Sequence, residues 1–271
     1  MITQKKNFLN LKSRLSVIWT LTKKNIFLYI KSGPVLIFGL MFPFFLTLSW
    51  VIGRDIDNTQ IFIGIIAMTS FFTSTAISPV ILPIETREKS LERVISSPVS
   101  LIEIILGIVL ASFLYSFSIT SIITIAFLFL LKIELTSILS YILTWTAIAL
   151  MGIIGSLLGI LVSANPTEKT SDVMVLINLL KFPLIFISGI FIPFESLPFA
   201  ALFISLFSPI TYMVDTLRFA IKRDSFFLLT IDLLVSLIWI LALLIANIVM
   251  HRKTVVKRFS AVGKKTKKNR G

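Results

Sequence analysis

The feature that most restricts this chain is a series of apolar blocks, residues 33–52, 60–84, 101–131, 138–163, 173–193 and 226–250, each free or nearly free of charge. A hydrocarbon layer about 30 Å thick is crossed by about 20 helical residues rising about 1.5 Å each, so every block is long enough to span it. Backbone facing lipid must hydrogen-bond within its own segment or within a closed barrel, and these continuous runs lack the period-two alternation of barrel strands. The expected fold is an all-α polytopic membrane protein with six transmembrane helices. The mean hydropathy of +0.98 agrees.

Lysine and arginine sort across these blocks. The segments 1–31, 85–100, 164–172 and 251–271 hold twenty of them, whereas the alternate connections hold five: Arg54, Lys132, Arg218, Lys222 and Arg223. Basic residues collect on the cytoplasmic side, so both termini are expected in the cytoplasm of a multi-pass cell-membrane protein. The net charge of +13 then speaks for orientation and anionic lipid, not for nucleic acid. A further apolar stretch, 196–214, would move the nine basic residues of 251–271 outside if it crossed. Pro198 and Pro209 interrupt it, so it is expected as an outer re-entrant helix pair capping an internal pathway.

Before the first block, Phe8, Leu11, Leu15, Ile18, Trp19, Ile26, Tyr29 and Ile30 fall within one third of a helical wheel, with Lys12, Arg14, Lys23, Lys24 and Lys31 around the rest. This spacing predicts an N-terminal amphipathic interfacial helix on the cytoplasmic leaflet. The stretch LSVIWTLT is short, flanked by basic residues and without a small-residue cleavage site, so no cleaved signal peptide is expected. The organisation is a single membrane domain over 1–271. It has a cytoplasmic or interfacial leader at 1–31, a six-span core at 33–250 and a basic cytoplasmic tail at 251–271, whose end is expected to be unstructured.

Cysteine is absent and His251 is the single histidine. That removes thiolate and histidine metal clusters and any Ser/His nucleophilic pair inside the membrane. Gly263-Lys264-Lys265-Thr266 lacks the upstream glycine and the Lys-Ser/Thr step of a phosphate-cradling loop. The chain is expected to be no enzyme, to bind no metal or cofactor, and to draw any ATP and Mg from another chain. Gly152, Gly155, Ser156, Gly159 and Ser163 recur at helical spacing in the fourth block and permit close helix approach, either inside the bundle or between copies.

Against this apolar background, residues 85–100, ETREKSLERVISSPVS, place six charges in their first nine positions. On a helical wheel Glu85, Glu88 and Glu92 form an acidic stripe, Leu91, Val94 and Ile95 an adjoining apolar one, and Glu85 and Lys89 an i,i+4 pair. Two readings fit: a solvated helix held by its own ion pairs, or a docking surface. Three charges also stand within blocks, Lys181 about 12 Å deep by helical rise, Glu103 near the start of the third and Asp232 in the outer half of the sixth. A lysine at that depth is a functional-site candidate by default. It either snorkels to cytoplasmic water or pairs with Glu103 across an inner translocation pathway.

The charged run resembles the first cytoplasmic loop of type 2 ABC exporter permeases, where a Glu/Arg-rich segment leads through Leu-Glu to a Pro-Val-Ser-like turn before the third span. ISGIFIPFESLP followed by SPITYMVDTLR resembles the same family's segment after the fifth span, with its Ser-Gly, Phe-x-Pro, Leu-Pro and Pro-x-x-Tyr landmarks. Lys89-Ser90 departs from the glycine usual after the Glu/Arg run. The resemblance implies a membrane subunit that pairs with a second permease copy, as homodimer or related heterodimer, sits on two ABC ATPase subunits and exports by alternating access. By position it implies a cytoplasmic coupling helix at Glu85, Arg87, Glu88, Lys89, Leu91, Glu92, Arg93 and Pro98, and a connecting helix at 8–31. It further implies a lesser ATPase contact at 165–172 and an outer re-entrant cap at Pro193, Pro198, Pro209 and Tyr212. Small amphipathic drugs, as in multidrug efflux, are the expected substrate class because the short loops leave no added sugar-binding domain. Lipid-linked polysaccharide export by the same fold is the alternative. An ATPase-independent secondary transporter or insertase would show paired acidic relays or inverted repeats, and neither is visible.

Overall fold

The structure, a computed structural model, describes residues 11–30, 37–88 and 90–268. Among these the chain is helical and has no strand. Helix α1 spans Leu11–Ile30; a π-helical turn, Ile37–Met41, leads into α2 (Phe42–Val51). Then come α3 (Asn58–Ile77), α4 (Ile81–Arg87), α5 (Ser90–Ser96), α6 (Leu101–Leu130), α7 (Ile138–Val162) and α8 (Thr170–Phe186). A 3-10 turn at Phe194–Ser196 precedes α9 (Phe199–Ser205), α10 (Pro209–Lys222) and α11 (Leu229–Lys268).

Helix α3 is the centre of the bundle. Of its apolar window 94% is buried, against 17% for α11. Helices α6 and α7 pack on it, α2 and the π-helical turn cover another side, α1 lies on α6, and α10 and α11 lie on α7. Such a position needs a helix without charge on any face, and α3 supplies one, with Phe62, Phe71 and Phe72 fully buried. Lipid is as apolar as the helix surfaces, so hydrogen bonds between helices carry part of the association. Ser116 Oγ donates to Ser70 O at 2.8 Å, Ser112 Oγ to Ser74 O at 2.9 Å, and Thr73 Oγ1 to Gly39 O at 2.8 Å. On α7, a Cβ at Gly155 would collide with the Ser74 hydroxyl, and one at Gly159 with the Ser78 hydroxyl. The small-residue stripe therefore serves contacts inside the bundle, Gly155 and Gly159 toward α3 and Gly152 toward Phe113 of α6.

Four helices among the described residues are long and apolar enough to cross a membrane: Asn58–Arg87, Leu101–Leu130, Ile138–Val162 and Leu229–Thr254. The first and fifth expected spans are shorter, a helix over Gly39–Val51 and the 17 residues of α8. Part of the first block lies outside the described residues, and α8 ends in a turn before Gly189, whose φ is 76°. The stretch 196–214 breaks at its prolines as expected, and α9 and α10 are bent by 96° to each other.

The last helix runs on through the tail to Lys268, so residues 263–268, part of the end expected to be unstructured, are helical. That tail contains no proline, and Gly263 weakens a helix without ending it. Helix α1 matches the predicted interfacial helix in position and leaves Leu15 and Trp19 of its apolar stripe exposed. It packs on α6 through Ile18 of that stripe and the neighbouring Leu21 and Thr22, with Leu21 close against Gly107. Phe8 lies outside the described residues, as do the side chains of Leu11, Tyr29 and Ile30.

Candidate functional site

The charged run is not one helix. Helix α4 ends at Arg87, Glu88 sits in the turn, and α5 begins afresh at Ser90. Glu85 points inward: it is 3% exposed and receives the Lys24 ammonium at 2.6 Å, which ties α1 to the end of the central helix. The acidic stripe expected across Glu85, Glu88 and Glu92 therefore loses its first member to an internal ion pair. Arg87, Glu88, Arg93 and Pro98 are exposed, and Val94 packs against the core. Lys89 lies outside the described residues, as do the side chains of Leu91, Glu92 and Ile95. Ser100 then restarts the chain as α6: its hydroxyl accepts the Glu103 N–H at 3.2 Å, and Glu103 Oε2 accepts the Ser100 N–H at 2.6 Å. This reciprocal cap sets where the loop stops.

Glu103 is thus engaged at its helix start, and the structure does not bring it to Lys181. Lys181 is 0% exposed, so it does not snorkel to water either. Its Nζ stands 4.5 Å from the centroid of the Phe72 ring and has no hydrogen-bond partner. The rings of Phe42, Phe72 and Phe182 pack on one another at 5.1 to 5.9 Å beside it. An ammonium in such surroundings costs about 2.5 to 3.5 kcal/mol at a bilayer centre, and a ring face offsets about 2 kcal/mol at best.

At the opposite end of α3, the left-handed φ of Gly189 lays its carbonyl where Gln60 Nε2 at 3.3 Å and Arg218 Nη2 at 3.4 Å both donate to it. The Phe194 ring occupies the space a side chain at Gly189 would need, which explains the Ser-Gly landmark. The Arg218 guanidinium stands 5.2 Å over that ring and reaches Glu195 at 3.5 Å. Pro193 opens the 3-10 turn, Pro198 precedes α9, and Pro209 begins α10, where its missing N–H costs nothing. The Tyr212 hydroxyl donates to Leu206 O at 2.8 Å and so holds the bend. Asp215 accepts the N–H groups of Phe226 at 2.9 Å and Phe227 at 2.7 Å, which fixes the approach to α11. Lys222 donates to Asp57 at 2.7 Å, and that bond holds the Asp57 carboxyl below the usual carboxylate range. A cavity of about 190 Å³ opens here, lined by Gln60, Glu195, Arg218, Lys222 and Asp224 among others.

Residues 16–222, from α1 to the end of α10, match the family model of the ABC-2 type transporter. The chain belongs to the ABC-2 type transporter family. No curated protein matches it. As an ABC-2 type transporter it is a membrane-integral transport permease, of a family that works with ABC ATPase partners. The matched region of this ABC-2 type transporter contains the charged loop, Lys181 and the cluster around Arg218.

Sequence reasoning missed Lys24 as the partner of Glu85, and Gln60 and Asp215 as organisers of the Gly189 and Phe226 backbone. Asp215 and Arg218 were visible as charges three residues apart in an apolar stretch, a spacing that puts both on one helix face. Lys24 gave no such signal.

Proposed function

We propose that this permease is the membrane subunit of an ATP-driven exporter. Two copies, identical or related, sit on two ABC ATPase subunits and carry a small amphipathic, drug-like substrate out of the cytoplasm by alternating access. It lies in the cell membrane with both termini cytoplasmic, and ATP and Mg bind in the partner chains. The observation that supports this most is the mechanical continuity between the exposed charged loop and the core. The central helix runs on through α4 to Arg87, Val94 anchors α5, and the Lys24–Glu85 pair clamps α1 to the same point. A partner seated on Arg87, Glu88 and Arg93 pushes on the middle of the bundle instead of on a slack loop. Coupling requires that the ATPase bind inward-facing and outward-facing states with different free energies, since equal affinity shifts nothing.

The test is copurification with the ATPase followed by charge reversal. Glu88→Lys and Arg93→Glu are expected to leave membrane insertion intact and to lower substrate-stimulated ATP hydrolysis about tenfold, a loss within the usual range of coupling energies. Normal hydrolysis in both variants would remove the loop from coupling. Failure of any ATPase to copurify with the unmodified protein would remove the exporter reading itself.

A further inference from the structure

Lys181 has no counter-charge among the described residues, and the helix that carries it is loosely tied to the bundle. Three residues earlier, on the same face of α8, Asn178 Oδ1 is also buried without a hydrogen-bond partner. Folded proteins satisfy nearly all such groups, and an unpaired ionisable side chain inside a membrane helix points to a ligand or pathway. The three phenylalanine rings at 5.1 to 5.9 Å from one another form an apolar wall beside the ammonium. Helix α8 meets α3 and α7 over short stretches only. Its other face, with Val175, Leu176, Leu179 and Phe186, is exposed. Pro183, inside the helix and two residues past Lys181, has no N–H to return to the Leu179 carbonyl. The helix is therefore weakened next to the buried charge, and swinging it away from Phe72 uncovers Lys181 in exchange for the Phe182 contacts with Phe42 and Phe72.

We propose that Lys181 and Asn178 bind the head group of an amphipathic monoanion, a single carboxylate on an apolar chain, and that the chain inserts between Phe182 of α8 and the Phe42 and Phe72 rings it leaves. The ammonium takes one carboxylate oxygen in a charge-assisted bond. The Asn178 amide, rotated by half a turn, offers its N–H to the other oxygen. One carboxylate neutralises one ammonium, and α8 carries no second basic residue for a dianion. A neutral chain of equal length gains the ring contacts but leaves the lysine unpaired.

The proposal rests on the permease reading, but its test uses binding alone and contains no ATPase, so the two fail separately. Full-length protein in nanodiscs is titrated with radiolabelled laurate, against empty nanodiscs, with unlabelled laurate or dodecanol as competitor. Saturable laurate binding is expected, with dodecanol weaker by about tenfold or more. Lys181→Met should bring laurate down to the dodecanol level, Lys181→Arg should keep the preference, and Phe72→Leu should weaken both ligands alike. A second measurement needs no variant: laurate, and not dodecanol, should protect Lys181 from acetylation by acetic anhydride, read by mass spectrometry. No saturable laurate binding, equal laurate binding by Lys181→Met, or acetylation of Lys181 unchanged by laurate would each overturn the proposal.

Discussion

Two ion pairs with almost the same separation, Lys24–Glu85 at 2.6 Å and Lys222–Asp57 at 2.7 Å, differ in what water does to them. The Glu85 side chain is 4% exposed and Lys24 37%, whereas Lys222 and Asp57 are both about half exposed. Removing Lys24 strands a buried carboxylate; removing Glu85 leaves a lysine that water can reach. Lys24→Met is therefore expected to cost about 2 kcal/mol and Glu85→Gln clearly less, with the double variant recovering most of the Lys24→Met loss. Thermal unfolding of the solubilised protein reads this, and equal losses from the two single variants would refute the inward placement of Glu85. The Lys222–Asp57 pair is screened, so Asp57→Asn should cost under about 1 kcal/mol. Because the Asp57 carboxyl is lowered on folding, the pair's contribution is complete above the ordinary aspartate range of about 3.9. It is lost only as pH falls through the lower folded value. The difference in melting temperature between the parent and Asp57→Asn should thus stay constant from pH 5 to 8 and shrink only below about pH 4.

At the level of helices, the contacts of α7 with α6 at Gly152 and with α3 at Gly155 and Gly159 are set by how much room each glycine leaves. A Cβ at Gly152 meets Phe113 at 3.4 Å, an ordinary contact; one at Gly155 meets a serine hydroxyl that can turn away; one at Gly159 also comes within 2.9 Å of the stiff Pro79 ring. Alanine is expected to be nearly neutral at Gly152, intermediate at Gly155 and worst at Gly159, where overpacking costs about 1 to 3 kcal/mol. A melting series in which Gly159→Ala is no worse than Gly152→Ala would show that the helices separate freely. Much of this architecture was legible in the residues themselves. Apolar blocks gave the helices, Pro198 and Pro209 gave the bend, and small-residue spacing gave a close contact without saying with what. The inward turn of Glu85 was not legible, because its partner is a lysine 61 positions away, and local periodicity carries no signal from such a partner. Lys181 was visible as an anomaly in its block. Its setting among Phe42, Phe72 and Phe182 depends on three separate helical segments meeting, which no spacing in one of them predicts.

For the whole molecule, the last helix carries the expectation of orientation on which the inner and outer assignments depend. Helix α11 has 40 residues, about 60 Å at 1.5 Å each, roughly twice the hydrocarbon thickness. Its apolar run gives way after Met250 at His251-Arg252-Lys253, and the remaining turns, with the basic residues of 251–268, must project beyond the lipid. Basic residues favour the cytoplasmic side, so the α1 end of the bundle is expected to face the cytoplasm and the Arg218 cluster, at the other end of α3, to face out. The protein has no cysteine, so a single introduced thiol reports its own side. Ser260→Cys should be silent to a membrane-impermeant maleimide in intact cells and react after permeabilisation, whereas Asp224→Cys, in the exposed loop before α11, should react in intact cells. Labelling of Ser260→Cys from outside would invert the molecule. It would carry Arg87, Glu88 and Arg93 away from any cytoplasmic ATPase, so coupling through that loop would fall with the orientation.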